Sequence, residues 1–279
     1  MRPAAHNRPF AVCMLAILLA VSAADQRPAY CREADGKPAS IPNNGQDLTR
    51  PLARFDLRYQ YQRLPHKGSE DIFTFRCDKP FRLSEKWLLA TRIDMPLGAG
   101  NAAAADNPAG RWQFTSQDLL TQAYIAWLPN ELLGIGAGTQ MIWPTAYFDQ
   151  GGTGKYQALP FVGFRYFLHW ISPGSFIMPS IQYSTSYAGS ASRPSIRQIL
   201  FAPALNINLP KDSFIEFFSS ESGIYDIKAR AWYVPLNFMV GKTFNSKIVV
   251  SAEFYIPVFS TNKYDPYDFK TEARVGFFF

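Results

Sequence analysis

The stretch Asp268-Phe269-Lys270-Thr271-Glu272-Ala273-Arg274-Val275-Gly276-Phe277-Phe278-Phe279 alternates with a period of two. Phe269, Thr271, Ala273, Val275, Phe277 and Phe279 share one parity, and Asp268, Lys270, Glu272, Arg274 and Gly276 the other. Successive side chains of an extended strand point to opposite faces, so the stretch reads as a strand with one apolar and one polar face. Far upstream the pattern recurs: Phe55, Leu57, Tyr59 and Tyr61 alternate with Asp56, Arg58, Gln60 and Gln62.

Between these two ends the same unit repeats, an alternating run followed by a turn rich in Gly, Pro, Asn, Asp or Ser. Twelve strands are predicted near 52–64, 70–78, 85–97, 112–128, 132–143, 155–169, 175–188, 195–209, 213–221, 227–241, 246–259 and 266–279. No helix-period segment of any length follows residue 24. A chain with 47% hydrophobic and 15% aromatic residues is too apolar to be disordered. It is also no helical membrane protein, because its longest apolar run, Phe10–Ala24, falls short of the about 20 residues that a spanning helix needs.

Alternation alone does not say which face meets solvent. In a soluble barrel or sandwich the apolar face turns inward; in an outer-membrane barrel it meets lipid and the polar face lines the lumen. Loop lengths favour the second arrangement. Short turns around Pro129-Asn130-Glu131, Pro210-Lys211-Asp212 and Asn245 alternate with longer connections at 98–111, 144–154 and 260–266. The tryptophans agree. Trp87, Trp127 and Trp170 fall at one set of strand ends and Trp112, Trp143 and Trp232 at the other, as two membrane interfaces select. The expected fold is therefore all-β: a transmembrane antiparallel up-and-down β-barrel of about 12 strands, over 52–279.

The N-terminus reads as a targeting segment. Arg2 and Arg8, the apolar stretch Phe10–Val21 and then Ser22-Ala23-Ala24 have the order of a secretory signal peptide, expected over 1–24. Its removal lowers 28 basic side chains to 26 against 22 acidic, and the formal charge from +6 to +4. So thin a surplus on an exported chain points away from nucleic acid. Export leaves Cys31 and Cys77 in a compartment where disulfides persist. A bond between them would close a loop of about 46 residues, worth roughly 4 kcal/mol in the chain-entropy account. Residues 25–51, with Pro28, Pro38, Pro42 and Pro51, cannot pair as a strand for long. They are expected to be a periplasmic segment that plugs the barrel or hangs below it. Cys77 has the lipid-facing parity of its strand, so the bond requires that strand to end or bulge first.

The final Val275-Gly276-Phe277-Phe278-Phe279 resembles the C-terminal signal of bacterial outer-membrane barrels, which implies handling by the barrel assembly machinery through the strand ending in Phe279. Outer-membrane lipids and lipopolysaccharide are the implied surroundings. Four stretches also look like the neuromedin-U-like, or MetA-pathway-of-phenol-degradation, outer-membrane proteins: Leu89–Leu97, Ala158–Tyr166, Phe201–Pro210 and Tyr267–Glu272. That resemblance covers roughly 85–279 and implies transport of apolar or aromatic compounds, with no catalytic motif.

Polar parity supplies the candidate lumen wall. Its basic members are Arg58, Arg76, Arg92, Arg165, Lys270 and Arg274, and its acidic members Asp56, Asp94, Glu216, Glu253, Asp268 and Glu272. A charge-selective pore shows a ring of one sign, so balanced charges are expected to pair and brace the interior. Tyr124, Phe161, Tyr233 and Tyr255 would offer contact surface to a small-molecule substrate. Gly134, Gly136 and Gly138 share the lumen parity of one strand beside Tyr124 and Phe161. They read either as room for an apolar solute or as glycines covered by aromatics, a common packing device in sheets.

Hydrolase chemistry needs a nucleophile, a base and an orienting group in reach of one another. His66, near Lys67 and Ser69, and His169, near Ser172, show no such spacing, and Asp71 beside His66 is a thin basis for a protease. Gly151-Gly152-Thr153-Gly154-Lys155 lacks the first glycine and the final Ser or Thr of a phosphate loop. No cofactor, metal or enzymatic activity is expected. The sequence reads as a channel or transporter barrel; the alternative is a closed structural or adhesive barrel acting through its outer loops, with a lipid hydrolase as a remote third.

Overall fold

The computed structural model describes residues 43–65, 68–103, 107–148, 151–219, 223–261 and 267–279. Their strands are β1 (Arg54–Arg63), β2 (Ser69–Arg82), β3 (Trp87–Gly100), β4 (Gln113–Ser116), β5 (Leu119–Trp127), β6 (Leu133–Trp143) and β7 (Lys155–Phe167). The second half adds β8 (Phe176–Gly189), β9 (Arg197–Leu209), β10 (Ser213–Phe217), β11 (Gly223–Asp226), β12 (Ala231–Phe244), β13 (Ile248–Ser260) and β14 (Phe269–Phe278). Apart from the pairs β4/β5 and β10/β11, consecutive strands pair antiparallel, and β14 pairs with β1 from Arg54↔Phe278 to Arg63↔Phe269, which closes the sheet.

Fourteen elements make a twelve-stranded barrel because two are fragments. β4 extends β5 along β3, and β10 and β11 occupy one place between β9 and β12. The first interruption is a bulge: Leu97 pairs with Ser116 and Asp94 with Leu120, so three steps of β3 face four at Gln117 and Asp118. At the second, Leu205 pairs with Phe217 and Phe201 with Gly223, so four steps of β9 face six of the chain. The strand expected at 112–128 runs through the first interruption, whereas that at 213–221 takes in β10 and stops short of β11.

The barrel is inside-out relative to a soluble one. Leu57, Phe73, Ile93, Met95, Val162, Phe164 and Ile181 are exposed on the outer surface, while Asp56, Asp78, Asp94, Arg165, Asn206 and Glu216 are buried within. Only a lipid surround makes that distribution stable. The tryptophans take the expected ends. Trp87 and Trp127 pair directly across β3 and β5 and stack at 5.8 Å. At the opposite end Trp143 donates its Nε1 hydrogen to Thr121 Oγ1 at 2.9 Å, and Trp232 packs against Phe201 and Tyr225.

The turns fit the same frame. Lys211 and Asp212 (φ 62° and 56°) close β9–β10, and Asn245 and Ser246 (φ 50° and 55°) close β12–β13. Two consecutive left-handed residues give the twist that a tight antiparallel hairpin requires. This short-turn end carries the start of β1 and the end of β14, and is the periplasmic end by the rule for such barrels. The second strand outruns its expected limit. β2 continues to Arg82 in unbroken register with β3, so it neither ends nor bulges at Cys77, whose side chain is exposed on the outer face. Cys31, the other half of the expected disulfide, and the signal segment 1–24 lie outside the described residues.

Placing Arg at position 93, midway along the outer face of β3, is expected to destabilise the barrel by about 2–4 kcal/mol. Urea unfolding of Ile93→Arg in lipid vesicles checks this; an unchanged midpoint would deny that this face meets the bilayer core.

Candidate functional site

The interior is built from two unlike walls and a floor. The charged wall spans β14, β1, β2 and β3, where inward positions are separated by one residue and face one another across the strand pairs. Asp78 accepts from Arg54 Nε and from Arg92 Nε, each at 2.6 Å. Asp94 is bound in bidentate fashion by Arg76, at 2.7 and 2.5 Å. Arg58 reaches Glu272 at 3.1 Å and Asp56 at 3.5 Å. Planar guanidinium forks suit this role, each able to join two carboxylates on different strands. Asp56 is fully buried and leans over Gly276 of β14, where any Cβ would collide with its carboxylate.

The opposite wall is apolar and amide. Leu120, Gln122, Tyr124, Gln140, Phe161, Met178, Gln182, Leu200 and Ala202 line it from β5 through β9. Tyr124 and Phe161 meet edge to face at 5.8 Å. Between the walls lies a cavity of about 350 Å³, and Gly45, Gln46, Asp47, Leu48, Pro51 and Leu52 also line it.

Those last residues belong to a segment that enters the periplasmic half of the lumen and braces itself. The Asp47 carboxylate accepts from the Thr49 backbone N–H at 2.9 Å and the Thr49 hydroxyl at 2.7 Å, and Asn43 and Asn44 each bond a backbone N–H two residues on. Such Asx turns fold a chain that lacks strand partners. Three anchors tie it to the barrel. Asn44 donates to Asn206 and Asn208 on β9 at 3.2 and 3.1 Å. Arg54 donates to the Gly45 carbonyl at 2.8 Å. Arg165 of β7, 1% exposed, pairs with Asp47 at 3.3 Å, donates to Thr49 Oγ1 at 3.2 Å and lies over the Phe167 ring at 3.9 Å.

The glycines of β6 explain the fit. A Cβ on Gly134 would strike Thr49, and one on Gly136 would overlap the Leu48 side chain. Leu48 packs there against the cluster of Ala90, Tyr124 and Ala126, on which Phe161 also packs, and against the cluster of Phe167, Phe176, Met178 and Ala204. At Gly138 a Cβ would strike the Ala123 carbonyl and the Tyr124 Cα and Cβ, a close approach of the neighbouring strand, while the edge of the Tyr124 ring lies 4.0 Å from the Cβ position of Gly136. At Gly134 and Gly136 the first atoms a Cβ would meet belong to the chain's own N-terminal segment.

Of the residues singled out from sequence, Arg58, Arg92, Tyr124, Phe161 and Arg274 line the cavity together. Asp56, Asp94, Glu272 and Arg165 stand behind them as ion-pair partners of the wall and the floor. Tyr233, Tyr255 and Lys270 form a separate cluster: both tyrosines are buried, Tyr233 packs on Tyr267, and the Lys270 ammonium lies 3.9 Å from the Tyr255 ring centre. They fill the outer half of the lumen and do not border the cavity. Glu253 accepts from Asn237 at 2.7 Å and from Ser219. Asp268 is no lumen residue; it precedes β14, is exposed, and meets Arg63 at 3.9 Å on the rim. Arg54 and Asp78 were within reach of the alternation, but Asp78 sits at the limit of a strand read too short. Asp47, Leu48 and Thr49 carry no strand signal at all.

The rejected catalytic sets have other partners. His66 and Lys67 lie outside the described residues. His169 stacks on Phe167, and the Ser172 hydroxyl is engaged by Ser175 and by the Asn208 carbonyl. Lys155 donates to the Ser190 carbonyl at 2.6 Å, and Thr153 bonds Asp118, so the glycine-rich loop is stitched into the outer rim. Among the described residues no group of His, Cys, Asp or Glu is arranged to hold a metal.

Fold and interior together define the chain as an outer-membrane β-barrel with a partly filled lumen. Among solved structures it is similar to the COG4313 outer membrane channel from Pseudomonas putida F1, at TM-score 0.64 and 15% identity, covering 87% of this chain and 99% of that one. It is more distantly similar to the KdgM porin (TM-score 0.49, 10% identity, 81% and 99% covered). The outer membrane phospholipase A from Escherichia coli matches at TM-score 0.46 and 8% identity, with 82% and 90% covered. At these identities the likeness to the first shows a shared barrel fold. No family model matches the chain, and no curated protein is similar in sequence.

Bulk at position 136 is expected to expel the N-terminal segment from its seat. In Gly136→Leu, chymotrypsin should cut the folded barrel after Leu48, a bond the parent protects by packing that side chain against the wall; equal protection in both would mean that Leu48 finds another seat.

Proposed function

We propose that the protein is an outer-membrane channel for small apolar or aromatic compounds, held shut from the periplasmic side by the segment that includes residues 43–53. One observation carries this reading: the lumen keeps a cavity of about 350 Å³ whose floor is a piece of chain and not the wall. A barrel meant only as a scaffold can fill its interior with side chains from its own strands. Here Gly134 and Gly136 instead hollow the wall to admit Leu48 and Thr49. The anchors are polar contacts and one ion pair, which water can replace as the segment leaves. The apolar wall of Tyr124, Phe161, Met178 and Leu200 supports an apolar or aromatic solute, in keeping with the resemblance to the phenol-degradation outer-membrane proteins. The same reading makes outer-membrane lipids and lipopolysaccharide the partners of the outer surface, and the strand ending in Phe279 the part that the barrel assembly machinery handles.

Planar-bilayer recording tests it. The parent is expected to show brief or small openings, and the triple substitution Asp47→Asn, Leu48→Ser, Thr49→Ala to raise mean conductance several-fold. Silence in both, from protein shown to be folded, would overturn the channel.

A further inference from the structure

Among the described residues, the charged wall contains a buried arginine with no carboxylate at ion-pair distance. Arg274 of β14 is buried, lines the cavity, and sits directly opposite Arg58 across the β1–β14 pairing. Like charges facing each other on adjacent strands are unfavourable. Arg58 has Glu272 and Asp56. Among the described residues Arg274 has no carboxylate within ion-pair distance; its Nε has no acceptor, and its Nη2 meets only the Met239 sulfur at 3.9 Å. An arginine is charged at any relevant pH, and burying it without an anion is expensive unless something else supplies one.

The geometry points to a binding site for a small aromatic monocarboxylate, its carboxylate on Arg274 and its ring against Tyr124 and Phe161. A guanidinium fork holds a carboxylate in bidentate fashion, and the charge-assisted bonds strengthen in a cavity that excludes bulk water. The cavity's volume of about 350 Å³ lies in the range of small-molecule sites, about 300–1,000 Å³. Its two walls match the two ends of such a molecule. This deepens the channel reading and rests on it for physiological purpose, while binding itself does not require conduction.

Calorimetric titration of the folded protein in detergent micelles at low ionic strength tests the site, with benzoate as the probe. Benzoate should bind saturably, and benzyl alcohol and benzylammonium at least tenfold more weakly. Arg274→Gln should lose at least tenfold in benzoate affinity, with Arg274→Lys between it and the parent. Phe161→Ala should weaken every probe while keeping the preference for the anion. If Arg274→Gln fails to fold, judged by circular dichroism and heat-dependent gel migration, the probe series on the parent and on Phe161→Ala decides. Equal binding of benzoate and benzyl alcohol, full affinity in folded Arg274→Gln, or no saturable binding would each overturn the site. Bilayer recording of the same preparations separates the two readings: conduction without benzoate binding sinks the site alone, and benzoate binding without conduction sinks the channel alone.

Discussion

The pairing of β14 with β1 is the contact on which the rest depends. In a bilayer no water can satisfy an open sheet edge, so a barrel that fails to close leaves two rows of backbone donors and acceptors in hydrocarbon. The seam runs over ten residue pairs, from Arg54↔Phe278 to Arg63↔Phe269. Its inner surface is also where the charge is concentrated: Asp56 lies over Gly276, and Arg58 crosses to Glu272. These contacts join the first strand to the last, so the ion pairs of the lumen reinforce the one pairing that cannot form locally. The charged wall thus serves closure first, and Arg274 is the charge left over once closure is satisfied.

A twelve-stranded barrel leaves a choice about its interior. Its diameter is too great for small side chains to meet across it and too small to be left open without consequence for permeability. This chain resolves the choice differently at its two ends. Toward the outside, Tyr233, Tyr255, Tyr267 and Lys270 fill the lumen with long rings and a cation over their faces. Toward the periplasm the filling is a segment of backbone, folded on Asx turns and received by glycines. Ring packing of the first kind is fixed by the strands that carry it, whereas the second kind is held by a handful of polar contacts on a tether. The mobile element, on this argument, is the periplasmic one.

Legibility in the sequence followed the same division. Strand number, handedness of the faces and the tryptophan ends were all readable, because lipid outside and water or charge inside impose period two on every strand. The interruptions at Gln117–Asp118 and between β10 and β11 were not, since an insertion of one residue in the first and of two in the second leaves composition unchanged. Individual inward residues such as Arg58, Asp94, Tyr124 and Arg274 were readable as lumen-facing. Their grouping was not: Tyr233 and Tyr255 share parity with Tyr124 yet belong to a different level of the barrel, and stagger between strands decides level. Leu48 and Thr49 could not be found, because nothing periodic marks them. The only trace was on the receiving side, in three glycines at alternate positions of β6.

That trace shows how much the wall gives up for the segment. Glycine inside a strand loses backbone entropy and side-chain packing, a penalty of roughly 0.5–1 kcal/mol against alanine at each position. At Gly138 the space is taken by the Tyr124 Cα and Cβ of the neighbouring strand. At Gly134 and Gly136 it is taken first by Thr49 and Leu48. The strand is therefore at its most stable only with the segment seated, and the segment's own turns are anchored only by the barrel. Seat and occupant stabilise each other, and any ligand that competes for the cavity above them acts on both. On the proposed reading, a molecule bound between Arg274 and Phe161 would lie above Leu48, and both Leu48 and Phe161 pack on the same cluster of Ala90, Tyr124 and Ala126. Occupancy of the cavity and release of its floor would then act on one set of apolar side chains.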